Sequence, residues 1–499
     1  MQRNLKQLDN HEFDIVIAGG GIYGAALARE AALRRLSAAV IDKGDFCCAT
    51  SANSLKIIHG GLRYLQQADI IRVRESVRER RAMLRIAPHL ISPLPCLMPT
   101  KGLFKSKAAM FAALLVNDIL SADRNKGVTP GRHLSRGRIV SHSELESMMQ
   151  GHHVCGSGAA VWNDAVSDNS ERIVVEMVES AVDNGACAAN YLELTGFVRK
   201  NGDVCGIKVH DAIGGADFEM RAKLVINAAG PWSNDVLKKL DGDAPPLPYA
   251  LALGMNAVLT REIIPTYAAG LPCQEDGPDK GRLMFIMPWQ GTTMGGTFYR
   301  HYTDSSIDAM NPTESDIQQL INQLNSALPS ATITTDDISR IHAGLLPCRQ
   351  GRAADSDPKL LRHYKLVDHA RRDGIEGLIT VLGVKYTTAR DVAERTVTLA
   401  ARKLGKSIRP STSASVPLPG SINQPAANTN GYDASVQNAV RNEMAMTLSD
   451  VIYRRTDIGG KGAPDNSLLK TIAELTAKEL GWNSEQTERE ISLARNPLG

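Results

Sequence analysis

Three observations predict a mixed α/β (α+β) protein: a discontinuous Rossmann-type dinucleotide domain, a second domain of antiparallel sheet and a C-terminal helical domain. The chain opens with strand, glycine turn, helix and second strand, FDIVIAGGGIYGAALAREAALRRLSAAVIDKGD. Strand-to-glycine segments of the same kind return far downstream, as LVINAAGPW and LITVLGVKYTTARDVAERT. At 499 residues the chain also exceeds what one ordinary core can organise.

The elements follow in order. The run Ile15-Val16-Ile17 suits a strand buried on both faces, residues 25–33 suit a helix, and residues 38–41 complete a βαβ unit. The next stretch, ATSANSLKIIHGGLRYL (49–65), mixes hydroxyls, a lysine, a histidine beside two glycines and an Arg-Tyr pair. That is poor material for a regular element, so a polar, specifically shaped ligand is expected against it. Residues 69–87 read as a helix with Ile70, Val73, Val77 and Leu84 on one face, a solvated arginine and glutamate face opposite, and Pro88 as its stop.

LFKSKAAMFAALLVNDIL (103–120) is highly apolar, with Lys101, Lys105 and Lys107 at one end. It is expected in the core, with an interfacial helix on a membrane surface as the alternative. ALGMNAVLT and RLMFIMPWQGTTMGGTF suit strands of the second sheet, and the segment after Gly383 leads into a threonine-capped helix. Residues 407–430 read as a linker, followed by helices at 434–455, 467–480 and 484–494.

Composition excludes several classes. Lys+Arg outnumber Asp+Glu by only 57 to 54, so no nucleic-acid partner is expected. The N-terminus has no apolar core or cleavage site of a signal peptide, and no apolar run reaches the roughly 20 residues of a membrane span. Eight scattered cysteines without a C-x-x-C pair argue against a disulfide framework or zinc site and fit a reducing cytoplasm. His152-His153 lacks a third ligand at useful spacing, so a surface loop and no metal are expected.

Gly19, Gly21 and Gly24 form a G-x-G-x-x-G between strand and helix. The first glycine permits the tight turn, the second lets backbone approach a pyrophosphate, and the third lets the helix pack on the strand with its N-terminus facing phosphates. Asp42 closes the second strand, placed to accept from a ribose hydroxyl, with Ile22, Tyr23 and Lys43 beside these positions. The dispersal of later strand-to-glycine elements favours FAD over NAD, because an extended flavin cofactor is wrapped by pieces from the whole chain.

The strings FDIVIAGGGIYGAALA, ATSANSLKIIHGGLRYL, APHLISPLP, INAAGPW, GVKYTTARDVAE and VRNEMAMTLSDVIYRRT together resemble the FAD-dependent glycerol-3-phosphate dehydrogenase and oxidase family, from about Phe13 to Arg455. The resemblance implies a glutathione-reductase-like FAD domain and oxidation of the C2 hydroxyl of glycerol 3-phosphate, with electrons passing to quinone or oxygen. By the same likeness, Thr50, Ser51, Ser54 and Lys56 run along the pyrophosphate and flavin, and His59-Gly60-Gly61 turns the chain close to the ring. Ala229, Gly230, Gly383, Tyr386 and Thr387 belong to the cofactor's surroundings. Arg63 and Tyr64 point into the substrate cavity; Arg63, Arg362 and Lys385 bind the substrate's phosphate. His59 is the general base or a buttress of the flavin, and Lys385 joins it at the reacting end.

Departures from the family pattern carry information too. A K-G-S-H element is Leu253-Gly254-Met255-Asn256 here, the arginine of S-G-V-R-P-L is Leu346, and G-T-T-D is Gly295-Gly296-Thr297-Phe298. The anion-binding end is kept while the end handling the oxidised carbon is altered, with Arg349 or Arg352 as compensating candidates. Glycerol 3-phosphate or a close phosphorylated relative is therefore the leading substrate. A different phosphate- or phosphonate-bearing alcohol or amine is the alternative, and the retained cations argue against a non-catalytic flavin scaffold. The expected domains are 1–100, 155–235 and 340–405 for FAD, 101–154 and 236–339 for substrate, a linker at 406–432 and a helical domain at 433–499. The reading leaves open a homodimer and peripheral attachment to the inner face of the membrane.

Overall fold

The computed structural model describes residues 1–101, 106–240, 242, 244–274, 281–304, 306–350, 357–422 and 431–495. Lys105, Leu103 and Arg352, named above, lie outside the described residues, as do residues 423–430 of the expected linker.

The first sheet runs, edge to edge, Lys365–Asp368, Leu378–Leu382, Asp217–Asn227, Glu12–Ala18, Ala38–Ile41 and Cys187–Ala189. Its inner strands are parallel. Six of the seven residues of Glu12–Ala18, and all of Ala38–Ile41 and Leu378–Leu382, are buried. That is why those runs are mostly apolar rather than alternating, Asp14 and Thr380 being their buried polar exceptions. Helices Ile22–Leu33, Ser170–Asp183 and Ala389–Lys403 pack together on one face, and an antiparallel meander, Leu192–Lys200 and Asp203–Asp211, extends the Asp217–Asn227 strand beyond the parallel region.

The second sheet is largely antiparallel, in the order Ile338–Cys348, Ala250–Leu259, Thr292–Tyr302, Leu283–Trp289, Ala268–Pro272, Ile91–Pro99, Gly158–Ser167 and Ile57–Ile58, with Arg138–Ser141 on the Gly158–Ser167 strand. It thus takes four strands, Ile57–Ile58, Ile91–Pro99, Gly158–Ser167 and most of Ile338–Cys348, from segments expected in the FAD domain. Each of those strands forms its ladder pairs within this sheet, so pairing rather than position in the chain assigns it.

Three helices differ from expectation. Residues 434–455 do not form one helix: Tyr432–Glu443 ends at Met444, whose φ of 58° is left-handed. A capping box of Thr447 and Asp450 then restarts the chain into Leu448–Asp450 and a π-helical turn, Val451–Arg455. The helix expected at 69–87 is Ile70–Ile86, capped by Asp69, but its charged face is not all solvated. Glu79 and Arg80 are buried, in ion pairs with Arg390 and Asp164.

Helix Lys107–Leu120 is not a core helix either. Only Met110 and Leu114 are buried, whereas Phe111 is 59% and Ile119 67% exposed, beside an 83% exposed Ile71. Among the described residues no helix is long and apolar enough to cross a membrane. His152 bonds Ser330 through Nδ1 at 2.8 Å, and none of the eight cysteines is in a disulfide.

Candidate active site

A continuous cavity of about 2080 Å³ runs between the two sheets. It begins at the glycine turn. Gly19 has φ +111°, and a Cβ there would fall 2.6 Å from the Ala228 carbonyl oxygen. At Gly24 a Cβ would stand 1.7 Å from the Gly19 oxygen, so this glycine serves helix packing and does not line the cavity. Gly21 faces Ser51, whose Oγ accepts from the Ile22 amide at 3.0 Å. The hydroxyl thus satisfies one of the free donors at the start of helix Ile22–Leu33.

Asp42 accepts from the Gly20 amide at 2.5 Å and the Gly44 amide at 2.9 Å, and burial pushes its carboxyl up. Lys43 pairs with Asp308 and lies over the Trp232 ring at 4.7 Å. Thr50 Oγ1 donates to the Leu345 carbonyl at 3.0 Å and accepts from the Leu345 amide at 3.2 Å, which stitches the 49–65 segment to the second sheet. Lys56 is buried with its ammonium 2.9 Å from Glu171. Lys56 and Glu171 both line the cavity, with the lysine's charge paired by that carboxylate. Tyr386 donates to the Ser170 carbonyl at 2.7 Å.

Tyr23, on the first turn of the glycine-turn helix, bonds backbone groups of Val384 and Lys385. A Cβ at Gly383 would meet the Tyr23 ring at 2.1 Å, so this pairing needs glycine there. Lys385 in turn lies 4.1 Å from the Tyr64 ring centroid, whose ring also packs against Arg72 at 4.5 Å. Arg63, Arg362, Lys385 and Tyr64 all line the same cavity, as do Ser54, Ala229, Gly230, Thr387, Asn256, Leu346 and Arg349.

His59 is half exposed on this wall, with Nδ1 3.9 Å from the carboxylate of Asp164. Asp164 also accepts from the Gly60 amide and from Arg80, each at 2.5 Å, and from Trp162 Nε1 at 3.0 Å. Burial alone would raise its carboxyl, but neighbouring His59 and Arg80 outweigh burial and hold it well below the usual carboxylate range. Gly60 does not face the cavity: a Cβ there would strike Arg80 at 2.1 Å. Its smallness lets Arg80 reach Asp164.

At the altered end, Phe298 is 2% exposed and packed in the core of the second sheet with Met255 and Leu253. The expectation that it belongs to the pocket is corrected by strand alternation: its neighbours Thr297 and Tyr299 line the cavity instead. Asn256 is 2% exposed, its Oδ1 accepting from Thr297 Oγ1 at 2.8 Å. Burial pushes the Tyr299 phenol up against the opposing charges of Arg63 and Arg282. Sequence reasoning missed Asp164, Tyr299, Arg80 and the C-terminal residues Ser449, Tyr453 and Arg454, which also line the cavity or support its wall. A polar residue in a buried strand carries no local signal of which cavity it serves.

A glycine turn, a buried acid at the end of the second strand and a long cavity roofed by a second sheet define the class: an oxidoreductase-type fold that holds an extended dinucleotide. Residues 14–390 match the FAD-dependent oxidoreductase family, and residues 411–487 match the C-terminal domain of α-glycerophosphate oxidase. The chain belongs to the FAD-dependent oxidoreductase family. It is 30% identical to a glycerol-3-phosphate dehydrogenase of Synechocystis, over 98% of this chain and 97% of that one. It is 28% identical to an α-glycerophosphate oxidase of Streptococcus pyogenes, over 95% and 84% of the respective chains. Its fold matches that of a Bacillus halodurans glycerol-3-phosphate dehydrogenase solved with FAD, at a TM-score of 0.72 and 22% identity, covering 99% of this chain and 95% of that one. The donor set suits FAD, because Gly19, Gly21 and the amide end of helix Ile22–Leu33 leave backbone free to approach a pyrophosphate, and the cavity continues past His59 with room for a ring system.

Proposed function

We propose that the protein oxidises the secondary hydroxyl of glycerol 3-phosphate or a close phosphorylated relative. The supporting observation is that Arg63, Arg362 and Lys385 line the cavity that begins at the glycine turn. Arginines offer paired donors and a lysine a point charge to one phosphate, so an anionic substrate is held beside the cofactor. Bound FAD supplies the hydride acceptor. His59 takes the hydroxyl proton as the carbinol hydrogen leaves as hydride, and Asp164, 3.9 Å away, gives the protonated ring a partner. The product is the corresponding ketone. Lys385, placed by Tyr23 and Tyr64, keeps the anion in register for that transfer. The expected cofactor contacts and the three-part domain division are part of the same reading.

A second reading is favoured by the altered end. Leu346 faces the cavity where the family pattern has an arginine, and Asn256 is committed to Thr297. These neutral groups fit a different phosphate- or phosphonate-bearing alcohol or amine. Anaerobic mixing of the yellow protein with a panel of such compounds tests both readings, because the native donor bleaches the flavin within one turnover. Bleaching by glycerol 3-phosphate supports the first reading, and bleaching only by a phosphonate or amine supports the second.

The electron acceptor is quinone or oxygen, and the protein works at the inner face of the membrane. Ile70 and Ile71 at the start of one helix and Phe111, Leu115 and Ile119 on its neighbour form an exposed apolar face beside the cavity mouth, flanked by exposed Lys101 and Lys107. Such a face suits the headgroup boundary of an anionic bilayer.

A further inference from the structure

We infer that the C-terminal helical module is a cofactor-retention element, acting through Arg454 and Arg455 on the loop that walls the dinucleotide cavity. This rests on the reading of that cavity as the FAD site. The loop in question, residues 43–51, connects Asp42 to Ser51 and supplies Lys43, Cys48, Thr50 and Ser51 to the wall. At its turn sits Asp45, whose side chain is fully buried. Arg454 Nε approaches it at 2.6 Å, and Arg455 grips both carboxylate oxygens at 2.7 Å in a bidentate pair.

Asn190 adds a donor to Asp45 at 2.8 Å while also bonding the Met444 carbonyl, so one amide joins the loop to the point where helix Tyr432–Glu443 ends. Tyr191 donates to Asp450 at 2.7 Å, and Asp450 also receives Arg454 at 2.5 Å. Burial would raise the Asp45 carboxyl, but the charges of Arg455 and Arg454 hold it down to about 2, so the pair is ionised at neutral pH.

The module does not merely lean on the loop. Ser449, Tyr453 and Arg454 line the cavity themselves, from the π-helical turn and the short helix before it. The second sheet holds the same turn from the other side: Arg340 lies 4.8 Å from the Tyr453 ring centroid and donates to the Gly459 carbonyl at 2.8 Å. A third attachment, Arg172 to Glu443 at 2.7 Å, ties the module to a helix of the dinucleotide domain. Three fastenings around one wall mean that the wall's shape and the module's docking are one equilibrium. A ligand that needs the wall closed must therefore stabilise the docked module, and undocking must weaken the ligand by the same factor.

Arg454 is the position to test, because it faces the cavity and is 13% exposed, unlike the fully buried Arg455. In the full-length protein, Arg454→Gln is expected to weaken FAD about tenfold when the apoprotein is titrated with FAD, the loss of one charge-assisted contact. Arg454→Lys should recover part of that loss. The FAD-dependent gain in melting temperature should shrink in Arg454→Gln. Unchanged FAD affinity, with apoprotein and holoprotein destabilised equally, would make Arg454 a plain structural residue and overturn the inference. Should Arg454→Gln not fold, hydrogen exchange of the wild type decides. FAD should slow exchange across residues 432–455, and identical exchange with and without FAD overturns the proposal. A wild-type protein that binds no FAD would instead defeat the cofactor reading itself, a separate outcome.

Discussion

The Tyr23 hydroxyl donates to the Lys385 carbonyl at 2.8 Å and accepts from the amide of the same residue at 3.2 Å. One phenol on the glycine-turn helix thereby fixes a loop from the far end of the sequence, and with it the lysine proposed to bind the substrate's phosphate. Removing the hydroxyl by Tyr23→Phe leaves part-buried backbone groups unpaired, at a cost of about 1 kcal/mol in stability. FAD should remain bound while the affinity for a phosphorylated substrate falls. Thermal denaturation and a substrate titration of the flavin spectrum check the two halves. A variant that loses FAD first would show that Tyr23 serves the cofactor rather than Lys385.

Gly21→Val should give a colourless protein. A Cβ at this position already lies 3.0 Å from Ser51 Oγ, the group that satisfies the Ile22 amide, and further branches would fill the space where backbone meets pyrophosphate. Absorbance of the purified variant near the flavin bands is the measurement, and full flavin stoichiometry would contradict the placement.

Asp164 makes the wall beneath His59 sensitive to acid. Its folded-state pKa lies below the ordinary 3.8, so its stabilising contribution is complete above that value and disappears as pH falls through the depressed folded-state value. Asp164→Asn leaves Arg80 with its charge unpaired in a buried site and should cost about 3–5 kcal/mol at neutral pH. The gap between wild type and variant should narrow below about pH 4, as the wild-type carboxyl takes up its proton. Urea unfolding at several pH values measures that gap. A constant gap would remove Asp164 from the acid response.

The apolar face of helices Ile70–Ile86 and Lys107–Leu120 should bind vesicles containing anionic lipid, and less so as salt rises, since screening acts over about 8 Å at physiological ionic strength. Replacing Phe111 and Ile119 by serine should abolish flotation with vesicles while leaving FAD in place. Absence of flotation by the wild type at low salt would confine this face to solvent.

How much of this was legible beforehand follows from locality. Gly19, Gly21, Gly24 and Asp42 lie within one βαβ unit, so spacing alone brings them together at one turn. The ion pairs of Glu79 and Arg80 were not legible, because their partners Arg390 and Asp164 arrive from elements distant in sequence. The break at Met444 could have been read: Thr447 and Asp450 have the spacing of a capping box, but the apolar periodicity on either side hid it. Phe298 was misread for a different reason. Its place in the motif suggests the pocket, but the period of two in strand Thr292–Tyr302 puts residues 297 and 299 on the opposite face.

The division of labour inside the cavity yields the sharpest test. Arg63, Arg362 and Lys385 line its wall, and replacing any one by a neutral residue should cost a dianionic substrate about 1.5–3 kcal/mol, roughly ten- to hundredfold in affinity. Glycerol, lacking the phosphate, should be oxidised far more slowly than glycerol 3-phosphate, and equal rates on the two would defeat the anion clamp. The altered end divides into a residue that can be changed cleanly and one that cannot. Asn256 is buried with its Oδ1 on Thr297, and a Cβ at Gly296 would lie 2.2 Å from that oxygen, so a larger ring there meets backbone. Leu346 faces the cavity and is only partly buried. Leu346→Arg therefore returns the family's residue type with little disturbance. If the native substrate is another phosphate or phosphonate, this change should raise turnover of glycerol 3-phosphate while scarcely altering its phosphate-dependent binding. If the wild type is already fast on glycerol 3-phosphate and Leu346→Arg slows it, the altered residues belong to a plain glycerol-3-phosphate dehydrogenase that handles its carbinol carbon without that arginine.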